Sequence, residues 1–186
     1  SVAGHAAWAA TRLGADLELL HVIKRDPGIT PPDLSGNLAM DATQALLGEL
    51  APLDEQRAKL AQAHGRELLQ NLQAEVLARS GVTATLTQRH GVLVENLLDI
   101  EKETRLIVIG KRGEHADFAR GHLGSNLKRV VRAVKLPVLG APREFRPSQR
   151  FLFPLDGSPT SRTSIELICA SPLLRDLDCP VLLVGD

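Results

Sequence analysis

The chain of 186 residues is longer than one average domain and shorter than two. Its 44% apolar and 24% charged residues are typical of a globular protein with a hydrophobic core. The 22 basic and 22 acidic residues cancel, and only 3% of the residues are aromatic, so we expect neither nucleic acid nor a membrane as a partner. We recognise no signal peptide and no apolar run near the ~20 residues of a membrane span, and therefore expect a cytoplasmic protein.

Short apolar strands alternate with helices along the first part of the chain. An Ala-rich helix opens it and ends at Gly14, a residue suited to the left-handed position that follows a helix. Pro52 is expected to break or kink the second helix. Helices are predicted at residues 1–14, 40–80, 92–104 and 125–135, and strands at residues 17–23, 82–91, 105–110 and 137–142.

This alternation predicts parallel strands joined by right-handed helical crossovers. We therefore expect an α/β fold, a doubly wound parallel five-stranded sheet with helices on both faces, followed by the start of a second copy. Residues 1–142 would form the first repeat, residues 143–149 (REFRPSQ) a linker, and residues 150–186 the beginning of the second. The basis for the second copy is that a helix and an apolar strand recur, with LLHV near residue 20 and VLLV near residue 183.

On this interpretation the first repeat lacks its opening strand, which would be central in the sheet. We expect that strand to exist outside these residues. The alternatives are that FLFPLDGS, residues 151–158, or a partner chain takes its place.

A glycine-rich segment follows the strand at residues 105–110. Gly110 ends this strand, Gly113 follows it, and the triplet Gly124-Ser125-Asn126 leads into an amphipathic helix. Glycines let a backbone approach an anion, and the free N–H groups at a helix N-terminus point towards it. The order strand, glycine-rich loop and helix start therefore predicts a phosphate site, although these glycines could also serve only to turn the chain.

The motifs LLHVI (residues 19–23), IVIGKRG (107–113), HLGSN (122–126), PVL (137–139) and FPLDGS (153–158) carry a resemblance. In this order the chain resembles the universal stress protein family, in particular its tandem-repeat members. Nucleotide-binding members show Gly-x2-Gly-x9-Gly-Ser/Thr, whereas here ten residues separate Gly113 from Gly124. The extra residue would be accommodated in the loop between them.

The resemblance implies a regulatory protein of the stress response that binds ATP with Mg²⁺ and has no dedicated catalysis, with at most weak ATP hydrolysis. It implies a nucleotide at the carboxyl ends of the strands, and either pairing of repeats within the chain or a homodimer. The implied nucleotide-binding residues of the first repeat are Val22, Ile109, Gly110, Gly113, Gly124, Ser125 and Asn126. Those of the second, partial repeat are Pro154, Leu155, Asp156 and Val184.

Two other functions stay open. A dimerising interaction module without a nucleotide is one, and an adenylating enzyme of the α-hydrolase superfamily is the other. The second is disfavoured because such enzymes read Ser-Gly-Gly-x-Asp-Ser where this chain offers DGSP, residues 156–159. We expect no metal site at His115 and His122, and we expect Cys169 and Cys179 to be buried as small apolar residues.

Overall fold

The computed structural model describes the backbone of residues 1–24, 40–111 and 123–185, and the side chains of these residues except 40–50. Gly113, His115 and His122 lie outside the described residues, and so does the extra loop residue. The helices are α1 (Val2–Leu13), α2 (Met40–Ser80), α3 (Leu93–Asp99), α4 (Ser125–Ala133) and α5 (Pro159–Ala170). The strands are β1 (Leu17–Ile23), β2 (Ala84–His90), β3 (Ile107–Gly110), β4 (Val138–Ala141), β5 (Phe153–Leu155) and β6 (Val181–Leu183).

Local signals in the sequence set the ends of α1. The hydroxyl of Ser1 accepts a hydrogen bond from the N–H of Gly4 at 3.2 Å, so Ser1 is the N-cap. Gly14 follows the helix in the left-handed conformation, with φ 57 and ψ 43, as predicted. Pro52 does not break α2, because one helix runs from Met40 to Ser80 with Pro52 inside it; the kink that was the other expectation stays a prediction.

The strands form three parallel pairs. β1 pairs with β2, β3 with β4 and β5 with β6, each in a two-stranded sheet. The predicted single five-stranded sheet is therefore not found in the described part of the chain, because the four strands of the first repeat form two separate pairs. The alternative that residues 151–158 take the place of an opening strand is also wrong, since β5 is hydrogen-bonded to β6.

Helices cover both faces of the layer that contains β1 to β4. On one face α1 and α2 bury a core whose members are mostly small, with Val108 of β3 packed against it. On the other face α3 and α4 bury Leu97, Ile107 and Val130, with Leu20 of β1 packed against them. β1 and β3 thus share both cores although they do not pair. The prediction that helices cover both faces is confirmed for this layer.

Residues 150–185 form a strand–helix–strand unit that contacts α1. The guanidinium group of Arg12 donates hydrogen bonds to the carbonyl oxygens of Leu173 and Arg175. One helix on two three-residue strands leaves much of this unit exposed. Both cysteines are therefore exposed, and the prediction that they are buried is wrong. In the part of the chain that the structure describes, no helix is both long and apolar enough to span a bilayer.

Candidate functional site

A large cleft lies between β1 and β3. Its volume is about 1460 Å³, and its lining includes residues from both strands and from the helices on both faces. At one end the side chain of Arg105, just before β3, donates to the carbonyl oxygen of Leu13 at 3.3 Å. Because Leu13 and Arg105 precede β1 and β3, the two strands begin at the same end of the cleft. Their carboxyl ends therefore meet at the other end.

The start of α4 lies at this carboxyl end. The N–H of Lys111 donates to the carbonyl oxygen of Ala141 at 2.8 Å, and the N–H of Gly124 donates to that of Lys111 at 3.0 Å. These bonds fasten the first turn of α4 to the end of β3. Gly110, Gly124, Ser125 and the next two residues of α4 all line the cleft.

Gly124 is the N-cap of α4, and Ser125 is the first helical residue rather than a cap. The N–H of Lys128 makes the first intrahelical bond, to the carbonyl oxygen of Gly124 at 3.1 Å. The N–H groups of Ser125, Asn126 and Leu127 precede that bond and have no acceptor among the described residues. Three N–H donors at a helix N-terminus can hold an anionic oxygen, and the partial positive charge of the helix dipole adds to the attraction.

The backbone at Gly124 does not itself require glycine. Its φ of −57 and ψ of 145 are accessible to any residue. A side chain at this N-cap position would lie near the N–H groups of the first turn. No acidic residue occupies the first turn of α4, so nothing in this turn repels an anion.

The structure brings together most of the predicted residues of the first repeat. Ile109, Gly110, Gly124, Ser125 and Asn126 line one cleft. Val22 is half-buried near the end of β1, opposite Arg89 of β2, and does not line this cleft. The predicted residues of the second repeat lie on another pair of strands, where the N–H of Val184 donates to the carbonyl oxygen of Leu155 at 2.8 Å.

Asp156 organises the turn between β5 and α5. Its carboxylate accepts a hydrogen bond from the N–H of Ser158 at 2.9 Å, and the hydroxyl of Ser158 caps α5 by accepting from the N–H of Ser161 at 3.2 Å. Hydrogen bonds from the side chain and main chain of Ser158, and from the side chain of Ser161, lower the pKa of Asp156 from 3.8 to about 2. An exposed carboxylate held in this way is a fixed acceptor at the carboxyl end of β5.

Sequence reasoning missed one charged residue of the cleft. Lys24 directly follows β1, is exposed, and lines the cleft together with Gly110 and Ser125. It brings a positive charge to the end where the free N–H groups of α4 lie. Its signal in the sequence was its position, because the residue that follows a parallel strand lies at the edge where such folds bind ligands.

Parallel strands with helices on both faces, and a cleft that reaches the carboxyl ends of β1 and β3, define a protein of the α/β class. Within this class, the sequence profile of the Universal stress protein family matches residues 1–142. The chain belongs to that family.

Relatives match almost the whole chain. It is 32% identical over 184 residues to the universal stress protein Slr1230 of Synechocystis, a match that covers 97% of this chain and 64% of that protein. It is 29% identical over 179 residues to the universal stress protein Rv1996 of Mycobacterium tuberculosis, covering 92% of this chain and 55% of that protein. The chain thus spans less than two thirds of the length of either relative.

A solved structure supports the fold. The universal stress protein UspA from Lactobacillus plantarum superposes with a TM-score of 0.51 at 22% identity, covering 75% of this chain and 86% of that one. At this identity the likeness establishes the α/β architecture.

Proposed function

We propose that this chain is a cytoplasmic regulatory protein of the stress response that binds an adenine nucleotide, with ATP and Mg²⁺ as the ligand. The observation that carries the proposal is the set of three N–H groups at the start of α4, which lack acceptors among the described residues and lie beside Gly110 at the carboxyl end of β3. Family membership supports the same role.

The phosphates are assigned to the α4 end of the cleft. Ser125 and Asn126 offer main-chain donors, and the positive charge of Lys24 lies at the same end. Gly124 and Gly113 would leave room for the phosphates, while Ile109 and Gly110 would contact the ribose. Val22, near the carboxyl end of β1 but not part of the cleft lining, would contact an adenine that extends past the cleft. The phosphates and water would provide most ligands of Mg²⁺, as is usual for this ion.

We propose binding without a dedicated catalytic step. The groups assigned to the nucleotide are main-chain donors, small residues and one lysine, which hold phosphates but supply no general base aimed at water. Any hydrolysis of ATP by this chain is therefore expected to be slow.

Residues 150–186 would form the beginning of a second repeat. Their order of strand, helix and strand supports the start of a second repeat, in which Pro154, Leu155, Asp156 and Val184 would contribute to a further nucleotide site. Asp156, fixed by Ser158, would accept a hydrogen bond from adenine or ribose. Pairing of repeats within a longer chain, or a homodimer, would bring such half-units together.

An interaction module without a nucleotide is the second candidate. The observation in its favour is the exposure of apolar side chains in this second unit, with Leu152 60% and Leu183 78% exposed. Mass spectrometry of the protein purified under native conditions distinguishes the candidates. Bound ATP or ADP, with binding of added MgATP in calorimetry, supports the nucleotide proposal, whereas an empty protein that does not bind MgATP supports the second.

A further inference from the structure

A second pocket lies on another face of α1, away from the cleft. It is formed by α1, the last turns of α2 and the segment that follows β4, and its volume is about 380 Å³. Trp8 and Thr11 line this pocket, whereas Ala6 and Ala10 line the cleft. The two sites therefore use different faces of one helix, and no residue assigned to the nucleotide lines the second pocket.

Two aromatic side chains form walls of this pocket. Trp8, the only tryptophan of the chain, and Phe145 both line it and are half-buried. The ring of Phe145 lies against Gly4, where a Cβ would be 2.9 Å from the Cγ of Phe145. It also stands perpendicular to the ring of His5, with 4.9 Å between the two centroids. These contacts hold the Phe145 ring in place, and a fixed aromatic wall favours a flat apolar ligand.

Other polar side chains of the pocket already have partners. The carboxylate of Glu75 accepts a hydrogen bond from the hydroxyl of Ser1 at 2.9 Å and lies 3.4 Å from the guanidinium group of Arg79. The hydroxyl of Thr11 donates to the carbonyl oxygen of Ala7, in its own helix, at 2.9 Å. These groups are satisfied within the protein, so they do not require polar groups on a ligand.

Arg12 brings a positive charge that has no counter-ion in the described part of the chain. Its guanidinium group donates to the carbonyl oxygens of Leu173 and Arg175, and the central carbon of this group lies 5.7 Å from the centroid of the Trp8 ring. Among the described residues its Nη1 has no acceptor, and it forms no salt bridge. Carbonyl groups orient a guanidinium group without neutralising it, so a fixed positive charge lies beside the aromatic walls.

We propose that this pocket binds a small planar aromatic carboxylate, with its ring between Trp8 and Phe145 and its carboxylate paired with Arg12. The volume of about 380 Å³ lies near the lower end of the ~300–1,000 Å³ of small-molecule sites, which suits a body of one or two fused rings. The planar fork of a guanidinium group matches the geometry of a carboxylate. The inference goes beyond nucleotide binding and does not depend on it.

Other small ligands fit these groups less well. A cationic ligand would be repelled by Arg12, and a neutral aromatic ligand would cover the walls without pairing with the charge of Arg12. An inorganic anion would pair with that charge but would leave the apolar walls in contact with water. A ligand that is both aromatic and anionic uses the walls and the charge together.

Titration of the intact 186-residue chain with 2-naphthoate, without nucleotide, tests the proposal. The matched control ligand is 2-naphthamide, which keeps the two rings and removes the charge. Because the chain has one tryptophan, the indole N–H of Trp8 gives a single NMR resonance that reports binding in this pocket. Calorimetry measures the affinity of each ligand.

We expect saturable binding of 2-naphthoate with a shift of the Trp8 indole resonance, and about tenfold weaker binding of 2-naphthamide. Arg12→Met should weaken the binding of 2-naphthoate to the level of the amide and change the binding of the amide little. Arg66→Met, at an exposed site on α2 that does not line the pocket, should change neither.

Thr11→Phe is a second variant that keeps the contacts of Arg12 with residues 173 and 175. Thr11 is exposed and lines the pocket, so a phenylalanine there should fill it and weaken the binding of both ligands. Equal affinities of the unsubstituted chain for 2-naphthoate and 2-naphthamide would overturn the proposal. So would binding that does not saturate, or binding that leaves the Trp8 indole resonance in place.

Discussion

Ser125→Asp separates the binding role of the α4 N-terminus from its structural role. The substitution places a carboxylate at the first helical residue, where no acidic residue is present in the first turn. A negative charge there interacts favourably with the helix dipole, by about 0.3–1 kcal/mol. The thermal midpoint should therefore stay the same or rise slightly.

The same substitution should weaken the binding of ATP. A carboxylate about 4 Å from a phosphate charge costs about 1 kcal/mol in water and about 4 kcal/mol near a protein surface. Ser125 is exposed, which favours the lower half of that range. We expect ATP affinity to fall by about tenfold to a hundredfold, and the loss to shrink as salt is added.

Calorimetric titration with MgATP, paired with thermal unfolding of each variant, measures both effects. Thr160→Asp is the matched control, because it adds the same charge to the first turn of α5, which also lacks an acidic residue. It should match Ser125→Asp in stability and leave binding in the cleft unchanged. If Ser125→Asp bound ATP as tightly as the unsubstituted chain, the assignment of phosphates to α4 would be refuted.

Three further predictions concern other sites. Asp156 should titrate near pH 2 by NMR, and Ser158→Ala should raise the pKa of this carboxyl group. Because the pKa of Asp156 is lower in the folded state, its stabilising contribution is present above pH 3.8 and is lost as the pH falls towards 2. An ordinary pKa for Asp156 in the folded protein would contradict this. Gly65→Ala should lower the free energy of unfolding by about 1–3 kcal/mol in urea, since its Cβ would lie 2.6 Å from the ring of His21, whereas Gly185→Ala, with open space around it, should change it little. Both cysteines should react with a thiol reagent without denaturant, and a requirement for unfolding would disprove their exposure.

Local signals in the sequence were sufficient to predict where single helices and strands begin and end. The apolar run of β1 predicts its bounds, Leu17–Ile23, and Gly14 predicts the end of α1. Pro52 does not break α2 because a helix of 41 residues can absorb the cost of one internal proline, about 3 kcal/mol, when the residues on both sides favour the helix.

Predictions that depend on distant partners were less successful. The sequence predicted one five-stranded sheet whose central opening strand lies outside these residues; in the structure its other four strands form two separate pairs, β1 with β2 and β3 with β4. The apolar run around Cys169 predicts burial only if another element covers it, and α5 has too little sheet beneath it. In the cleft, glycines and Ser125 were predicted from their order in the chain. Lys24 was missed because the pattern of a strand does not include the residue after it.

Amide NMR tests most directly whether the start of α4 binds the phosphates of ATP. The N–H resonances of Ser125, Asn126 and Leu127 should shift strongly on titration with MgATP, because each lacks an acceptor among the described residues and would gain a phosphate oxygen. Inorganic triphosphate should shift the same resonances, while adenosine should not. ATP that binds without moving these three amides, or a chain that binds no ATP at all, would contradict the claim.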